Sequence, residues 1–164
     1  MVKKWQMINF FGKIKIVFKV NGKPPQKSEW GGKDAPLVIE LRKAALKART
    51  KRGLDKCIVT PVKLKLDVYA PNIDDRDYKQ TGDNDEKRYI GDLDSLIAGV
   101  CDYLSRAPED PGKNNFVPSQ LFDDEPEIAP TIPLIIKDDS QIKTVSAKKI
   151  ISKKTYYVVY VELI

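Results

Sequence analysis

The sequence contains no histidine among its 164 residues. This absence excludes a Ser-His-Asp triad, a Cys-His pair, a histidine-dependent metal nuclease and the common mixed zinc sites. The two cysteines, Cys57 and Cys101, lack metal-ligand spacing, and two cysteines in a chain of this size do not indicate a disulfide framework. We expect both to be buried thiols. The chemistry that remains uses carboxylates, lysine and hard metal ions.

Glycine-rich phosphate loops and long apolar runs are also missing. Gly22-Lys23 lacks the upstream glycine and the following Ser or Thr of a P-loop, and no GxGxxG occurs, which argues against a nucleotide cofactor. No apolar run is long enough to cross a bilayer, and lysines interrupt the first 20 residues, unlike a signal peptide. The sequence therefore predicts a cytoplasmic protein without a membrane partner.

Positive charge is concentrated in the first part of the chain. Residues 1–66 carry 17 Lys and Arg against 4 Asp and Glu, and residues 67–164 carry 12 against 19, so the net charges are +13 and −7 and sum to +6. A basic surface is typical of nucleic-acid-binding proteins, because contacts to phosphates release condensed counterions. Solvated lysines are also common on other soluble proteins. Charge therefore favours nucleic acid without identifying the site.

Hydrophobic periodicity predicts an α+β fold in one domain, residues 1–164. The expected architecture is a small mixed β-sheet packed with two main helices. Strands are predicted at 13–20, 59–69, 142–152 and 155–164, and helices at 34–52 and 92–104. Two irregular insertions are predicted at about 71–91 and 107–133. The second contains six prolines, six acidic residues and one basic residue.

The segment 91–104 combines an apolar stripe with an acidic start. Apolar residues at 93, 96, 97, 100, 101 and 104 have helical spacing. Asp92 falls at the N-cap and Asp94 in the first turn, where the helix dipole favours negative charge. The pair therefore fits either a structural cap or a functional site. A second pair, Asp138-Asp139, precedes the later strands.

Basic residues in several elements are candidate contacts to DNA phosphates. Trp30, in the proline loop with Lys27, could touch DNA or pack against the sheet edge. The first helix is predicted to expose a basic face that includes Arg42. The candidate DNA-binding residues are Lys13, Lys15, Lys27, Lys47, Arg49, Lys87, Arg88, Lys148 and Lys149.

The order strand, proline loop, basic helix, strand, Asp-Leu-Asp helix, Asp-Asp turn and strand resembles the RusA family of Holliday junction resolvases. These are phage-derived endonucleases that cut four-way DNA junctions. The matching pieces are Gly91-Asp92-Leu93-Asp94-Ser95-Leu96, Asp102-Tyr103-Leu104, Asp138-Asp139-Ser140-Gln141, the strand from Pro61 to Leu66, and Pro24-Pro25 with Lys27. The resemblance implies that Asp92, Asp94 and Asp139 are catalytic, metal-binding carboxylates, with Asp138 as a further candidate ligand.

The resemblance also implies an activity. It predicts a structure-selective endodeoxyribonuclease that resolves Holliday junctions by paired phosphodiester hydrolysis in DNA recombination and repair. Mg²⁺ is the expected ion, with Mn²⁺ as the alternative, because clustered carboxylates repel one another without a cation and hard ions prefer oxygen ligands. The partner is four-way or branched DNA. Two symmetry-related scissile phosphates predict a homodimer.

Two other functions remain open. The family carries a lysine one turn after the second aspartate, where this chain has Ala98. Either Lys27, Lys87 or Arg88 supplies the missing cation, or the chain binds junctions with weakened catalysis. Alternatively, the acidic insertion serves a protein-interaction module, and deletion of residues 108–131 would abolish partner capture while leaving DNA binding intact.

Overall fold

A computed structural model describes residues 14–73, 90–108 and 118–164. Four strands and two α-helices occur there, in the order β1 (Lys15–Asn21), α1 (Ala35–Lys51), β2 (Val62–Ala70), α2 (Leu93–Leu104), β3 (Ile142–Ile151) and β4 (Tyr156–Leu163). The strands form one mixed sheet of order β1-β4-β2-β3, in which only β2 and β3 are parallel. The predicted α+β class, a small mixed sheet with two main helices, is confirmed.

Alternating residues give the sheet one buried face. In register across three strands, Ile16, Val161 and Leu64 are all at most 1% exposed. They pack against the apolar sides of α1 and α2, which contribute Val38, Leu41, Leu96 and Val100. The inward positions predicted on β2 are confirmed as buried: Val62, Leu64, Leu66 and Val68. Both helices therefore pack on the same face of the sheet.

Several predicted boundaries shift by one to three residues. The second strand begins at Val62 instead of residue 59, because Val59 is 68% exposed and Pro61 has no N–H for a ladder. The first helix spans Ala35–Lys51, one residue shorter than predicted at each end. Lys13 and residues 74–89 and 109–117, which belong to the predicted first strand and the two insertions, lie outside the described residues.

The described part of the second insertion, residues 118–133, is packed into the domain. It forms single 3-10 turns at Gln120–Phe122 and Pro126–Ile128, whose Phe122 and Ile128 side chains are 4% and 1% exposed. Phe122 and Ile128 of this acidic segment thus belong to the core. In the part of the chain that the structure describes, no helix is long and apolar enough to cross a bilayer.

The placement of Arg42 on an exposed basic face is wrong. Arg42 is fully buried and its guanidinium donates hydrogen bonds of 2.6–2.9 Å to five backbone carbonyls, those of Tyr103, Ser105, Ile128, Ala129 and Ile132. These oxygens lie at the end of α2 and in the insertion, where they lack helix or sheet partners. The arginine therefore satisfies buried backbone acceptors.

Trp30 is 1% exposed and lies against α2 and the insertion instead of the sheet edge. Its ring is edge-on to Tyr103 at 4.9 Å and tilted against Phe122 at 6.0 Å, and the Arg42 guanidinium lies 4.9 Å from its centroid. Trp30 is therefore a core residue with no ring face presented to DNA.

Cys57 and Cys101 form no disulfide and are half-buried. Both thiols are therefore less buried than predicted.

Candidate functional site

The head of α2 presents two exposed aspartates. Gly91 precedes it with φ of 114°, a conformation that glycine adopts readily. Asp92 occupies the N-cap position, but its carboxylate accepts no capping hydrogen bond from the described backbone of α2. Asp94 lies in the first turn, also exposed. The capping explanation for Asp92 is therefore unsupported by hydrogen bonding.

The same helix carries a third carboxylate on the side that bears Asp94. Asp94, Ala98 and Asp102 are spaced four residues apart, which places them along one line of a helix. The opposite side of α2 is buried, with Leu96, Val100, Tyr103 and Leu104 at 0% exposure. Core packing of α2 thus turns this acidic line away from the sheet.

The two aspartates of the second pair, Asp138 and Asp139, have different surroundings. Asp138 Oδ1 accepts a hydrogen bond of 2.8 Å from the Ser140 N–H, and Gln141 Oε1 accepts one of 2.9 Å from the Asp138 N–H, forming a capping box. The bonds from Ser140 lower the pKa of Asp138. Gln141 Nε2 also donates to the carbonyls of Ile58 and Thr60. Asp138 therefore has a structural role, while Asp139 is exposed.

Asp139 interacts electrostatically with the last turn of α2. Burial raises the pKa of Asp102, and the Asp139 charge raises it further. Burial also raises the pKa of the Cys101 thiol to about 11, with further contributions from Asp139 and Asp102. Cys101 therefore stays a neutral thiol at physiological pH, and the charged groups at this end of α2 are carboxylates.

A loop from β1 to α1 lies against α2 and brings a lysine to this site. The Tyr103 hydroxyl donates to the Gln26 carbonyl and accepts a 2.6 Å hydrogen bond from the Glu29 N–H. A Cβ at Gly99 would overlap the Pro25 carbonyl oxygen and lie 3.0 Å from the Gln26 carbonyl carbon. Gly99 therefore permits the loop backbone to touch the helix.

Lys27, at the tip of this loop, is exposed, and its charge lowers the pKa of Asp102. The Ser28 N–H also lowers the pKa of Asp102 through a hydrogen bond. Ser28 has φ of 66°, which is uncommon for a residue with a side chain. Asp102 thus lies within electrostatic range of a lysine and of a second carboxylate.

Among the described residues, the predicted metal ligands do not converge on one ion position. Asp92 and Asp94 lie at the head of α2. The charge of Asp139 acts on Asp102 and Cys101, in the last turn of the same helix. Along a helix, Asp94 and Asp102 are separated by about 12 Å, too far for one ion to bridge. Across residues 14–73, 90–108 and 118–164, no three His, Cys, Asp or Glu side chains converge on a potential ion position.

The predicted DNA-binding residues are distributed over several surfaces. Lys15 and Lys148 are exposed on the face of the sheet opposite the helices, Lys47 is exposed on α1, and Lys149 is half-buried on β3. Arg49 is half-buried and its Nη1 donates to the Leu134 carbonyl at 2.8 Å, so part of its guanidinium is engaged. Lys13, Lys87 and Arg88 lie outside the described residues.

Sequence reasoning missed Asp102 as a site residue. Its position eight residues after Asp94 was an available signal, because that spacing returns to the same side of a helix. Its proximity to Asp139 and Lys27 depends on contacts between distant segments. No family model matches the chain, and no curated protein matches it.

Proposed function

We propose that this protein is a Mg²⁺-dependent, structure-selective endodeoxyribonuclease that resolves Holliday junctions by paired phosphodiester hydrolysis. It would act as a cytoplasmic homodimer on four-way or branched DNA, in recombination and repair. The proposed catalytic carboxylates are Asp92, Asp94 and Asp139, and we add Asp102 because its pKa responds to Asp139. The proposal starts from the resemblance of the sequence to the RusA resolvases.

The observation that carries the proposal is the grouping of Asp102, Asp139 and Lys27 beside α2. The Asp139 charge raises the pKa of Asp102, and like charges held this close lower stability, an arrangement that is common at functional sites. A lysine held beside them supplies a positive charge for a phosphate. Carboxylates flanked by a cation suit a phosphodiester substrate better than a purely structural role.

The donor set fits a hard divalent cation. The sequence has no histidine, and the Cys101 thiol is protonated at neutral pH because its pKa is raised to about 11. Oxygen ligands are what Mg²⁺ prefers, and it keeps several waters when only one or two carboxylates bind it. Asp139 and Asp102 would hold an ion at one end of α2. Asp92 and Asp94, at the other end of α2, would be ligands of a separate ion, because the length of the helix keeps them from sharing one with Asp102.

When bound, Mg²⁺ supplies a Lewis acid that orients an attacking water and offsets charge on the leaving oxygen. The protein's own residues perform the remaining tasks. Asp138 and Gln141 fix the turn that presents Asp139. The loop held by Tyr103 and Gly99 positions Lys27, whose ammonium can stabilise charge that develops on the scissile phosphate.

The test is cleavage of an end-labelled four-way junction in Mg²⁺ and in Mn²⁺. The variants Asp92→Asn, Asp94→Asn, Asp102→Asn and Asp139→Asn should each lose at least about a hundredfold in rate. Their junction affinity should stay equal or rise, because each removes a negative charge that repels phosphate. Asp138→Asn is the matched control and should remain active, since asparagine also caps helical turns.

The outcomes separate the proposal from its alternatives. A variant that retains full activity removes that residue from the site. Tight junction binding without cleavage in either ion, by wild type and by Ala98→Lys, would instead support a binding protein with decayed catalysis. Sedimentation with and without junction DNA tests the homodimer, and a monomer in both conditions would contradict paired cleavage by one assembly.

A further inference from the structure

The face of the sheet opposite the helices is rich in lysine and tyrosine. We call it the lysine–tyrosine face, and its cross-strand rows in the order β1, β4, β2, β3 are Lys15-Glu162-Lys63-Thr144, Val17-Tyr160-Lys65-Ser146, Lys19-Val158-Asp67-Lys148 and Asn21-Tyr156-Tyr69-Ile150. Five lysines against two acidic residues give it a net charge of +3. Asp67 is already paired with Lys65 Nζ at 3.2 Å.

The aromatic rings of this face are arranged with ammonium groups beside them. Tyr69 and Tyr156 stack with ring centroids 4.4 Å apart and planes at 10°. Lys19 Nζ lies 4.0 Å from the Tyr156 centroid, and Tyr160 has Lys65 at 4.6 Å and Lys15 at 5.2 Å. All three tyrosines are partly exposed. Each ring thus has an ordered neighbour over one face, and each tyrosine keeps part of its surface exposed.

We propose that the lysine–tyrosine face binds single-stranded nucleic acid. Unpaired bases stack on aromatic side chains whatever their sequence, and a positively charged groove follows the phosphates. The tyrosines lie on the two central strands, and Lys15, Lys19 and Lys148 lie on the edge strands. This layout offers base contacts in the middle of the sheet with phosphate contacts on both sides.

Charge complementarity selects this occupant over a second copy of the chain. Two copies meeting through this face would bring lysines against lysines, and like-charge contacts across an interface are unfavourable. A polyanion gains from the same lysines through counterion release. The face lies across the sheet from α2 and the aspartates, so the inference does not depend on the proposed nuclease activity.

The test uses a labelled oligothymidylate of about 15 nucleotides, a length within the reach of one binding face. Fluorescence anisotropy over a range of salt gives its affinity. The Lys15→Ala/Lys19→Ala double variant should weaken binding and reduce the salt slope by about 1.4, at about 0.7 per lost contact on a single strand. Lys51→Ala/Lys56→Ala removes two exposed lysines elsewhere and should leave both quantities unchanged.

A second pair of variants separates stacking from charge. Tyr160→Leu should lose about fivefold or more in affinity, whereas Tyr160→Phe keeps the ring and should bind like wild type. Asp139→Asn should bind normally, even if cleavage is absent. Circular dichroism checks that each variant folds. If Tyr160→Leu does not fold, the comparison of the two lysine double variants tests the inference by itself.

Three results would overturn the inference. The first is a wild-type protein that leaves the oligothymidylate unbound. The second is an equal loss of affinity in the Lys15→Ala/Lys19→Ala and Lys51→Ala/Lys56→Ala variants. The third is a dimer of wild type that Tyr160→Leu converts to monomer in sedimentation, which would identify the face as a contact between copies.

Discussion

Asp92 and Asp138 each lead into a helical turn and use their carboxylates differently. Asp138 caps its turn, with a 2.8 Å hydrogen bond from the Ser140 N–H and the reciprocal bond through Gln141. Asp92 occupies the equivalent position before α2, yet its carboxylate makes no capping bond to the described helix. Residue type and position are shared, and the hydrogen bonds differ. An aspartate at a helix start therefore has to be assigned from its hydrogen bonds, and of these two only Asp138 makes a capping bond.

The largest predicted effect is on the rate of cleavage and concerns Lys27, the cation beside the carboxylates of α2. It tests whether these carboxylates belong to an active site, unlike the capping Asp138. Lys27→Ala should lower the rate of junction cleavage about a hundredfold at saturating DNA, because it removes charge stabilisation at the phosphate. Lys33→Ala, an exposed lysine of the same loop, is the control and should cleave normally. Ala98→Lys in the Lys27→Ala background should restore part of the rate. Normal cleavage by Lys27→Ala would refute the role.

The next effect tests the contact between the proline loop and α2. Gly99→Ala should lower the free energy of unfolding by about 1–3 kcal/mol, because the new methyl group meets backbone atoms of Pro25 and Gln26. Helix propensity alone predicts the reverse, a gain of up to about 1 kcal/mol. Urea denaturation measures the change. Ala98→Gly is the control for propensity and should cost about 1 kcal/mol. Stabilisation by Gly99→Ala would contradict the close contact.

The two aspartate-led turns can be compared directly by stability. Asp138→Ala should lower the free energy of unfolding by about 1 kcal/mol, the usual cost of losing a capping side chain. Asp92→Ala removes no capping bond, so it should not show this capping loss. Thermal or urea denaturation of both variants gives the difference. Equal losses would mean that Asp92 stabilises the start of α2 as Asp138 stabilises its turn.

The smallest effect is in the pH dependence of stability. Because the pKa of Asp102 is raised in the folded state, its contribution to stability is lost as pH rises from its ordinary pKa through the raised one. Asp102→Asn should therefore gain stability relative to wild type as pH rises from about 3 to about 7. Asp138, whose pKa is lowered, should give the opposite trend in Asp138→Asn. Parallel curves for wild type and Asp102→Asn would contradict the raised pKa.

The sheet and its buried face could be predicted because their signal is local. Val62, Leu64, Leu66 and Val68 alternate with polar residues, and a period of two has one structural meaning in a half-buried strand. The start of α2 at Leu93 was also predicted, from apolar spacing and an N-cap residue. Such patterns act within a few residues, so the sequence displays them directly.

Arg42 and Asp102 could not be placed in the same way. Arg42 has the sequence context of a surface residue, and the carbonyls of Ile128 and Ala129 that draw it inward lie 86 and 87 residues away. The pKa of Asp102 is shifted by the charges of Lys27, which precedes it by many residues in the sequence, and of Asp139, which follows it. Charge–charge and carbonyl contacts of this range have no periodicity that a sequence could reveal.

The buried Arg42 also determines how the acidic segment can be probed. Its hydrogen bonds make residues 128–132 part of the same cooperative unit as α1. The amide hydrogens of this segment should therefore exchange with solvent as slowly as those of the core. Excising residues 108–131 would remove two of the acceptors together with Phe122, and unfolding would mask any loss of a protein partner. Neutralising the exposed carboxylates of Asp123, Asp124 and Glu127 leaves the anchoring carbonyls in place, and so isolates the acidic surface from the fold that carries it.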